Sequence, residues 1–378
     1  MSARRPRVLI ISHAYSEPML REQILRLNEH LPVRLVAPRR WRALVFDDFE
    51  VVGDADGVTC TFERVGLFGA QYVLRSATLD IRSWKPDIVH VDYDPWSAIF
   101  WQARVLTWLL APRCTLAVTT KKNTFRRYPG LRGRLKYQVA RLGFRACDFI
   151  VAASEMARSM VCETFAVDPA RIAVTTHVGV DSSVFRPVER ANRAVVIGYC
   201  GRLSEHKGVL DLVDAVDRVA ATGREVELHL LGAGPLSQTL QELAASRPWL
   251  RVLDAVPVDE VADFLGQLDV YALPARILED HQEHDAHAML QAMSVGLPVV
   301  ATRSGIIPEI LSDGVSGWII PANSTDELVA GLTTAVDDRV LRREIGRAAR
   351  EVAMRRFDLG TVARSRSEVY AGMVAGPR

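Results

Sequence analysis

Short β-branched runs alternate along the chain with longer stretches of helical spacing. RVLII (7–11), VRLVA (33–37), DIVHV (87–91), TLAVTT (115–120) and FIVAAS (149–154) come first. VVIGYC (195–200), VELHLLG (226–232), RVLDAV (251–256), VYALP (270–274) and LPVVAT (297–302) follow after a polar stretch. Several are apolar at nearly every position. Strands buried on both faces look like that, and they belong to parallel sheets covered by helices. The strand–helix alternation predicts an α/β protein of doubly wound, Rossmann-like domains. The series breaks once, at FRPVERANRA (185–194), where charges and a proline separate two strand runs. Read as a linker, it gives an N-terminal Rossmann-like domain over 1–187 and a C-terminal one over 188–356. The last stretch, 357–378, keeps helical spacing and is expected to pack across both domains.

Composition narrows the class. With 378 residues, 49% apolar and 24% charged, the chain can bury two cores. A net charge of +2 gives no argument for nucleic acid. Five cysteines, scattered and without a C-x-x-C pair, suit a reducing compartment rather than a disulfide framework or zinc knuckle. The apolar run before Ser12 is too short for a signal peptide, and none approaches the ~20 residues of a membrane span. A cytoplasmic protein is expected.

Two glycine turns follow strands. In IGYCGRLSEHKGVLDLVDAV (197–216), a strand ends at Gly201 and a helix begins near Gly208, with Val209, Leu212, Val213 and Val216 on one face. Backbone N–H groups at such a turn accept an anion. Arg202 and Lys207 beside it could hold a diphosphate by charge-assisted hydrogen bonds, each about 1.5–3 kcal/mol, or could be solvated charges on an ordinary loop. LLGAGPLSQTL (230–240) has G-x-G without the full dinucleotide fingerprint, and no glycine loop follows the first strand, which argues against a nicotinamide enzyme. In EHDAHAMLQAM (283–293), Glu283, His284, Asp285 and His287, with His281 before them, could be metal ligands; yet there is no H-E-x-x-H and no nearby cysteine. The alternative places Glu283 at a helix start, where its charge is favoured, with Gln291 about two turns in. A carboxylate and an amide suit sugar hydroxyls, and this reading, without a metal, is preferred.

Together GYCGRLSEHKG, LLGAGP, VLDAVPVDEVADFLGQLDVYALPAR (252–276), the E-x7-Q pair with AMSVGLPVVATRSGIIPEIL, and HVGVDSSVFRP (177–187) resemble the family 4 glycosyltransferases, retaining enzymes of the GT-B fold. PDIVHVDYDPWS (86–97), KKNTFRRYPG (121–130) and ACDFIVAASE (146–155) extend the likeness more loosely. The resemblance implies two Rossmann-like domains facing across a cleft, and a nucleoside diphosphate sugar donor with no separate cofactor. Arg202, Lys207 and Glu283 are the implied catalytic residues: the cations neutralise the diphosphate and Glu283 contacts the sugar. Gly201, Val256, Val258, His287, Ala288, Met289 and Gln291 are the implied donor contacts, with Val256 and Val258 near the base and the amides of 287–289 near the β-phosphate. Gln291 stands where the family has a second acid, which lowers the expected nucleotide affinity. His284 and Asp285 replace small residues. Where the family often carries a histidine after the fourth strand, this chain has Thr120, Lys121 and Lys122. The implied reaction is transfer of a hexose-type sugar to a glycan or lipid-linked acceptor, in polysaccharide or glycolipid synthesis. A GT-B epimerase or phosphorylase, or a catalytically weak binding homologue, is the alternative.

The acceptor is expected at the ends of N-terminal strands, with His13, Tyr15, Asp92 and Lys122 as its contacts. The stretch 121–145 carries Lys121, Lys122, Arg126, Arg127, Arg132, Arg134, Lys136, Arg141 and Arg145 with no acid. Leu135, Val139, Leu142 and Ala146 give a helix there one apolar face, with Arg134, Arg141 and Arg145 opposite. It reads either as a solvated face or as a surface for anionic lipid headgroups at the inner face of the membrane.

Overall fold

The computed structural model describes residues 5–375 apart from 17, 43–47, 51–56, 68–70, 126–128, 177, 189–193, 280 and 285. Arg126, Arg127 and Asp285, singled out above, lie outside the described residues, as does part of the expected linker. The chain forms two compact units, Met1–Val178 with Leu359–Arg378, and Gly179–Asp358.

The first unit is built on a seven-stranded sheet. Its strands stand in the order Ile172–Val174, Phe149–Ala152, Thr115–Thr120, Ile88–Val91, Val8–Ile11, Val33–Pro38, Thr59–Phe62, and every pairing is parallel. The uninterrupted apolar strands have the cause expected for them. Leu9 and Ile11 enter one buried cluster with Val89 and Val91, while Val8 and Ile10 enter the cluster on the opposite face. Helices cover both faces, and side chains at their starts hold several in place. Ser97 Oγ accepts the Phe100 N–H at 3.2 Å, and Ser154 Oγ accepts that of Ala157 at 3.0 Å.

The second unit has a six-stranded parallel sheet in the order Leu250–Leu253, Val226–Leu231, Val195–Cys200, Val270–Leu273, Val299–Thr302, Trp318–Ile320. This is the doubly wound order with a switch point between its third and fourth strands. Helix Val209–Ala220 buries Val209, Leu212, Val213 and Val216, the face its spacing predicts.

Three expectations are corrected here. The unit boundary falls at 178/179 rather than 187/188, because 179–187 is stitched to the second unit. There the Val180 N–H donates to the Phe357 carbonyl (2.7 Å), Ser182 Oγ to Asp358 (2.6 Å), and Ser294 Oγ to the carbonyl of fully buried Phe185 (2.9 Å). The final helix, Leu359–Ala375, belongs to the first unit, where Ala363 and Tyr370 join the cluster of Val8 and Ile10. Helix Gly130–Ala146 buries Gly133, Ala140, Gly143 and Phe144, whereas Leu135 and Leu142 of the expected apolar face are 63% and 54% exposed. A Cβ on Gly143 would lie 2.2 Å from the Pro95 carbonyl oxygen, so the small residues set which face packs.

Candidate functional site

In the second unit the switch point lies between Val195–Cys200 and Val270–Leu273, and ligands of such sheets bind beyond the strands' carboxyl ends at that place. Three glycines shape the ground there. Gly201 (φ +146°) and Gly232 (φ +147°) end adjacent strands, and a Cβ on Gly232 would lie 1.9 Å from the Gly201 carbonyl oxygen. The two turns therefore pack backbone on backbone, tied by the Leu203 N–H to the Ala233 carbonyl and the Leu236 N–H to the Leu203 carbonyl, both 3.0 Å. At Gly208 (φ +69°) a Cβ would lie 2.0 Å from the Pro274 carbonyl oxygen. The loop 201–208 is thereby pressed against the end of the neighbouring strand.

On this loop Lys207 reaches Glu283, its Nζ donating to Oε2 at 2.8 Å and Oε1 at 3.0 Å. The Glu283 side chain is 0% exposed and that of Lys207 17%. The Glu283 N–H donates to Ser304 Oγ (3.1 Å) and its carbonyl accepts from the Ile306 N–H (2.9 Å), so the backbone that carries the carboxylate is held from both sides. Glu283 is not at the helix start, as its expected role had it. The helix is His287–Val295, and the charge of Glu283 is met by the Lys207 ammonium instead. Arg202 is exposed, and among the described residues its guanidinium has no ion-pair partner. The Tyr199 hydroxyl fixes its backbone by donating to its carbonyl at 3.0 Å.

Helix His287–Val295 makes its first internal bond from the Leu290 N–H to the Ala286 carbonyl, so the amides of His287, Ala288 and Met289 lie at its amino end, favourable to an anion. Its residues differ in exposure: His287 and Ala288 are half-buried, Met289 is fully buried, and Gln291 is 5% exposed. Half-buried Val256 lies between strand Leu250–Leu253 and helix Val258–Gly266, which Val258 opens.

The sequence pointed to His281 and His284, as possible metal ligands, but not to His206, which joins them beside Lys207. The His206 and His281 rings are 4.4 Å apart and those of His281 and His284 5.5 Å. Burial, then the charge of Lys207, lowers His206, while burial, then His206 and His284, brings His281 down to about 4. Burial and the neighbouring positive charges thus disfavour the protonated form of both rings. The adjacency of His206 to Lys207 in SEHKG was the available signal. Arg276, also missed, makes a two-pronged bond to Asp211 at 2.6 Å on both oxygens and donates its N–H to the His206 carbonyl. Among the described residues no group of three or more His, Cys, Asp or Glu side chains is arranged to hold a metal ion.

The switch point of the first unit lies between Val8–Ile11 and Ile88–Val91, and His13 and Asp92 follow those strands directly. Asp92 is 2% exposed; it accepts from Ser12 Oγ at 2.9 Å, with Lys121 Nζ 4.0 Å away. The His13 ring packs on Tyr93 at 4.9 Å and is held down to about 4, by burial and then by Lys121. Exposed Lys122 lies 3.5 Å from Asp94 and 4.9 Å above the Trp96 ring. Tyr15 departs from its expected role. It is 1% exposed in the cluster of Val8 and Ile10, and its hydroxyl accepts from Arg366 Nη1 at 2.9 Å. It anchors the final helix rather than facing a ligand.

Residues 182–352 match the family described as Glycosyl transferases group 1, and residues 2–183 match Glycosyltransferase Family 4. The chain belongs to the family 4, group 1 glycosyltransferases. Relatives in this family include the alpha-maltose-1-phosphate synthase of Mycolicibacterium smegmatis, 30% identical over 61% of this chain and 65% of that protein. Another is the glycogen synthase of Mycobacterium tuberculosis, 26% identical over 79% of this chain and 71% of that one. The chain thus spans about two thirds of the length of these curated relatives. Among solved structures, Anabaena Alr3699/HepE in complex with UDP superposes with a TM-score of 0.72 at 16% identity, covering 97% of this chain and 100% of that one. The likeness shows a shared fold, the GT-B type with two Rossmann-like domains.

Proposed function

We propose that this family 4 protein transfers a hexose-type sugar, with retention, from a nucleoside diphosphate sugar to a glycan or lipid-linked acceptor. The observation that carries the reading is the loop 201–208, which brings Arg202 and Lys207 to the switch point beside the fixed carboxylate of Glu283. Cleaving the bond between sugar and diphosphate leaves positive charge on the sugar and negative charge on the departing oxygen. Arg202, Lys207 and the amino end of helix His287–Val295 oppose the latter, and pre-arranged charge of this kind is usually the largest catalytic contribution. Glu283 accepts from hydroxyls of the donor sugar, and Gln291 from those of the ribose. The acceptor attacks on the face the diphosphate leaves, its proton passing to a departing phosphate oxygen, so configuration is retained. His13, Asp92 and Lys122 are the acceptor's contacts. The UDP in the HepE structure and the names of the relatives, alpha-maltose-1-phosphate synthase and glycogen synthase, support this substrate class. In a transfer assay with the active donor, Arg202→Ala lowers kcat/KM at least a hundredfold at unchanged Tm, since its side chain is exposed. Near-wild-type turnover overturns the reading. The amide at Gln291 favours a second reading, a weakly catalytic binding homologue. Thermal stabilisation by UDP without turnover on any acceptor would select it.

The same proposal places the protein at an anionic membrane surface. No helix among the described residues is long and apolar enough to cross a membrane. Helix Gly130–Ala146, however, exposes Leu131 (82%), Leu135 and Leu142 beside exposed Arg132, Arg134 and Arg145. Apolar side chains among arginines suit insertion between anionic headgroups. Vesicles of phosphatidylglycerol at low salt should float the protein, and Leu131→Glu/Leu135→Glu should abolish it; flotation of neither protein removes the idea.

A further inference from the structure

The amino ends of the strands in the second unit border a cavity unrelated to the loop 201–208. Its volume is about 560 Å³, and Arg339, Arg342, Arg343, Arg347 and Arg350 line it against one acid among the described residues, Asp269. Asp269 directly precedes strand Val270–Leu273, and its carboxylate accepts the Val196 N–H at 3.0 Å, so the cavity lies at the opposite end of the sheet from Gly201 and Pro274. The five arginines come from helix Arg339–Arg356. A Cβ on Gly346 would lie 2.3 Å from the Gly296 carbonyl oxygen, so the helix sits directly on the turn before strand Val299–Thr302. Positions three and four from Gly346 share its face, as does the one two turns back, which brings Arg339, Arg342, Arg343 and Arg350 to the cavity wall, where Arg347 joins them.

Among the described lining residues five guanidiniums meet one carboxylate, so positive charge is in excess there. Arg342 donates to the carbonyls of Ala335 (2.8 Å) and Val336 (2.9 Å), and Arg350 to that of Ser294, which fixes both side chains with neutral partners. Arg339, Arg343 and Arg347 are exposed and have no ion-pair partner among the described residues. Burial pulls Arg342 below the ordinary guanidinium value; the Asp269 carboxylate opposes this, and Arg339 and Arg343 add to it. A planar guanidinium fork matches phosphate oxygens two at a time. The volume lies in the range of small-molecule sites, roughly 300–1,000 Å³.

We propose that this cavity is a second anion site, which takes phosphate groups bearing at least two negative charges, on a free phosphorylated small molecule or on a phospholipid headgroup. It is separate from the donor loop and does not depend on the transfer reaction.

Inorganic pyrophosphate, titrated calorimetrically into the full chain, tests it. The site should persist in Arg202→Ala, weaken at least tenfold in Arg343→Ser/Arg347→Ser, and recover most of its affinity in Arg343→Lys/Arg347→Lys. Both arginines are exposed, so Tm should not change. If Arg343→Ser/Arg347→Ser titrates as the wild type does, or if no pyrophosphate binding survives in Arg202→Ala, the proposal is overturned. Flotation with phosphatidic acid vesicles separates the sources. Flotation lost in the serine variant and competed by pyrophosphate assigns the headgroup; pyrophosphate binding with flotation unaffected by the variant assigns the free phosphate.

Discussion

Replacing Lys207 by methionine should destabilise the second unit by about 3–5 kcal/mol, the cost of leaving one buried partner of an ion pair uncompensated. The Glu283 side chain is 0% exposed and receives Lys207 Nζ at 2.8 and 3.0 Å. At about 3 Å and an effective dielectric near 20, the gross attraction is about 5 kcal/mol, which desolvation of both groups largely offsets. Loss of the ammonium keeps the desolvation of Glu283 and removes the attraction. Glu283→Gln should cost less, about 1–2 kcal/mol, because Lys207 is 17% exposed and its ammonium can turn to water. The double variant Lys207→Met/Glu283→Gln should then lie closer to wild type than Lys207→Met alone. Urea unfolding of the four proteins, followed by far-UV circular dichroism, gives the cycle. A coupling of at least about 1.5 kcal/mol is expected, and single effects that add within about 0.5 kcal/mol would refute the buried pair.

Three further outcomes follow from the same geometry. Gln291→Glu should tighten UDP binding about fivefold, since a charged acceptor strengthens a hydroxyl hydrogen bond by about 1 kcal/mol; unchanged or weaker binding by calorimetry would remove Gln291 from the ribose site. His90, 1% exposed and bonded to the Tyr370 hydroxyl at 2.5 Å and Thr119 at 2.8 Å, is held by burial down to about 3. Its unfolded form takes up a proton near pH 6.5 and its folded form does not, so stability is full above that pH and falls between about 6.5 and 3, by about 2 kcal/mol at pH 5. His90→Gln should flatten the fall of Tm over pH 6.5–4, and an unaltered slope would contradict the assignment. Gly232→Ala, whose Cβ would strike the Gly201 carbonyl oxygen at 1.9 Å, should cost about 3 kcal/mol or more, against about 1–2 for Gly223→Ala at φ +86° in open space; equal Tm values would show that the two turns do not pack as described.

Most of the strands that sequence revealed are buried on both faces, such as Val8–Ile11 and Val195–Cys200, though the half-exposed edge strand Leu250–Leu253 was legible as well. Edge strands Thr59–Phe62, Ile172–Val174 and Trp318–Ile320 escaped, being short, and half-polar or preceded by a glycine-rich turn in two cases. The helix Gly130–Ala146 shows a different limit. Periodicity located an apolar stripe through Leu135 and Leu142, but close packing on Pro95 selects the glycine and alanine face instead. At the candidate donor site, residue types and order were legible while pairing was not. Nothing local joins Lys207 to Glu283 across 76 residues, or Tyr15 to Arg366 across 351. His206 and His281 likewise meet only because the loop after one strand folds beside the segment after its neighbour.

The proposed transfer requires the diphosphate of a nucleotide to be held at the loop 201–208. Calorimetric titration of UDP, GDP and ADP into the wild-type protein and Arg202→Ala tests this most directly. At least one of the three should bind, and Arg202→Ala should weaken it tenfold or more without changing Tm. Equal affinities in the two proteins, or no binding of any of the three to the wild type, would contradict the account.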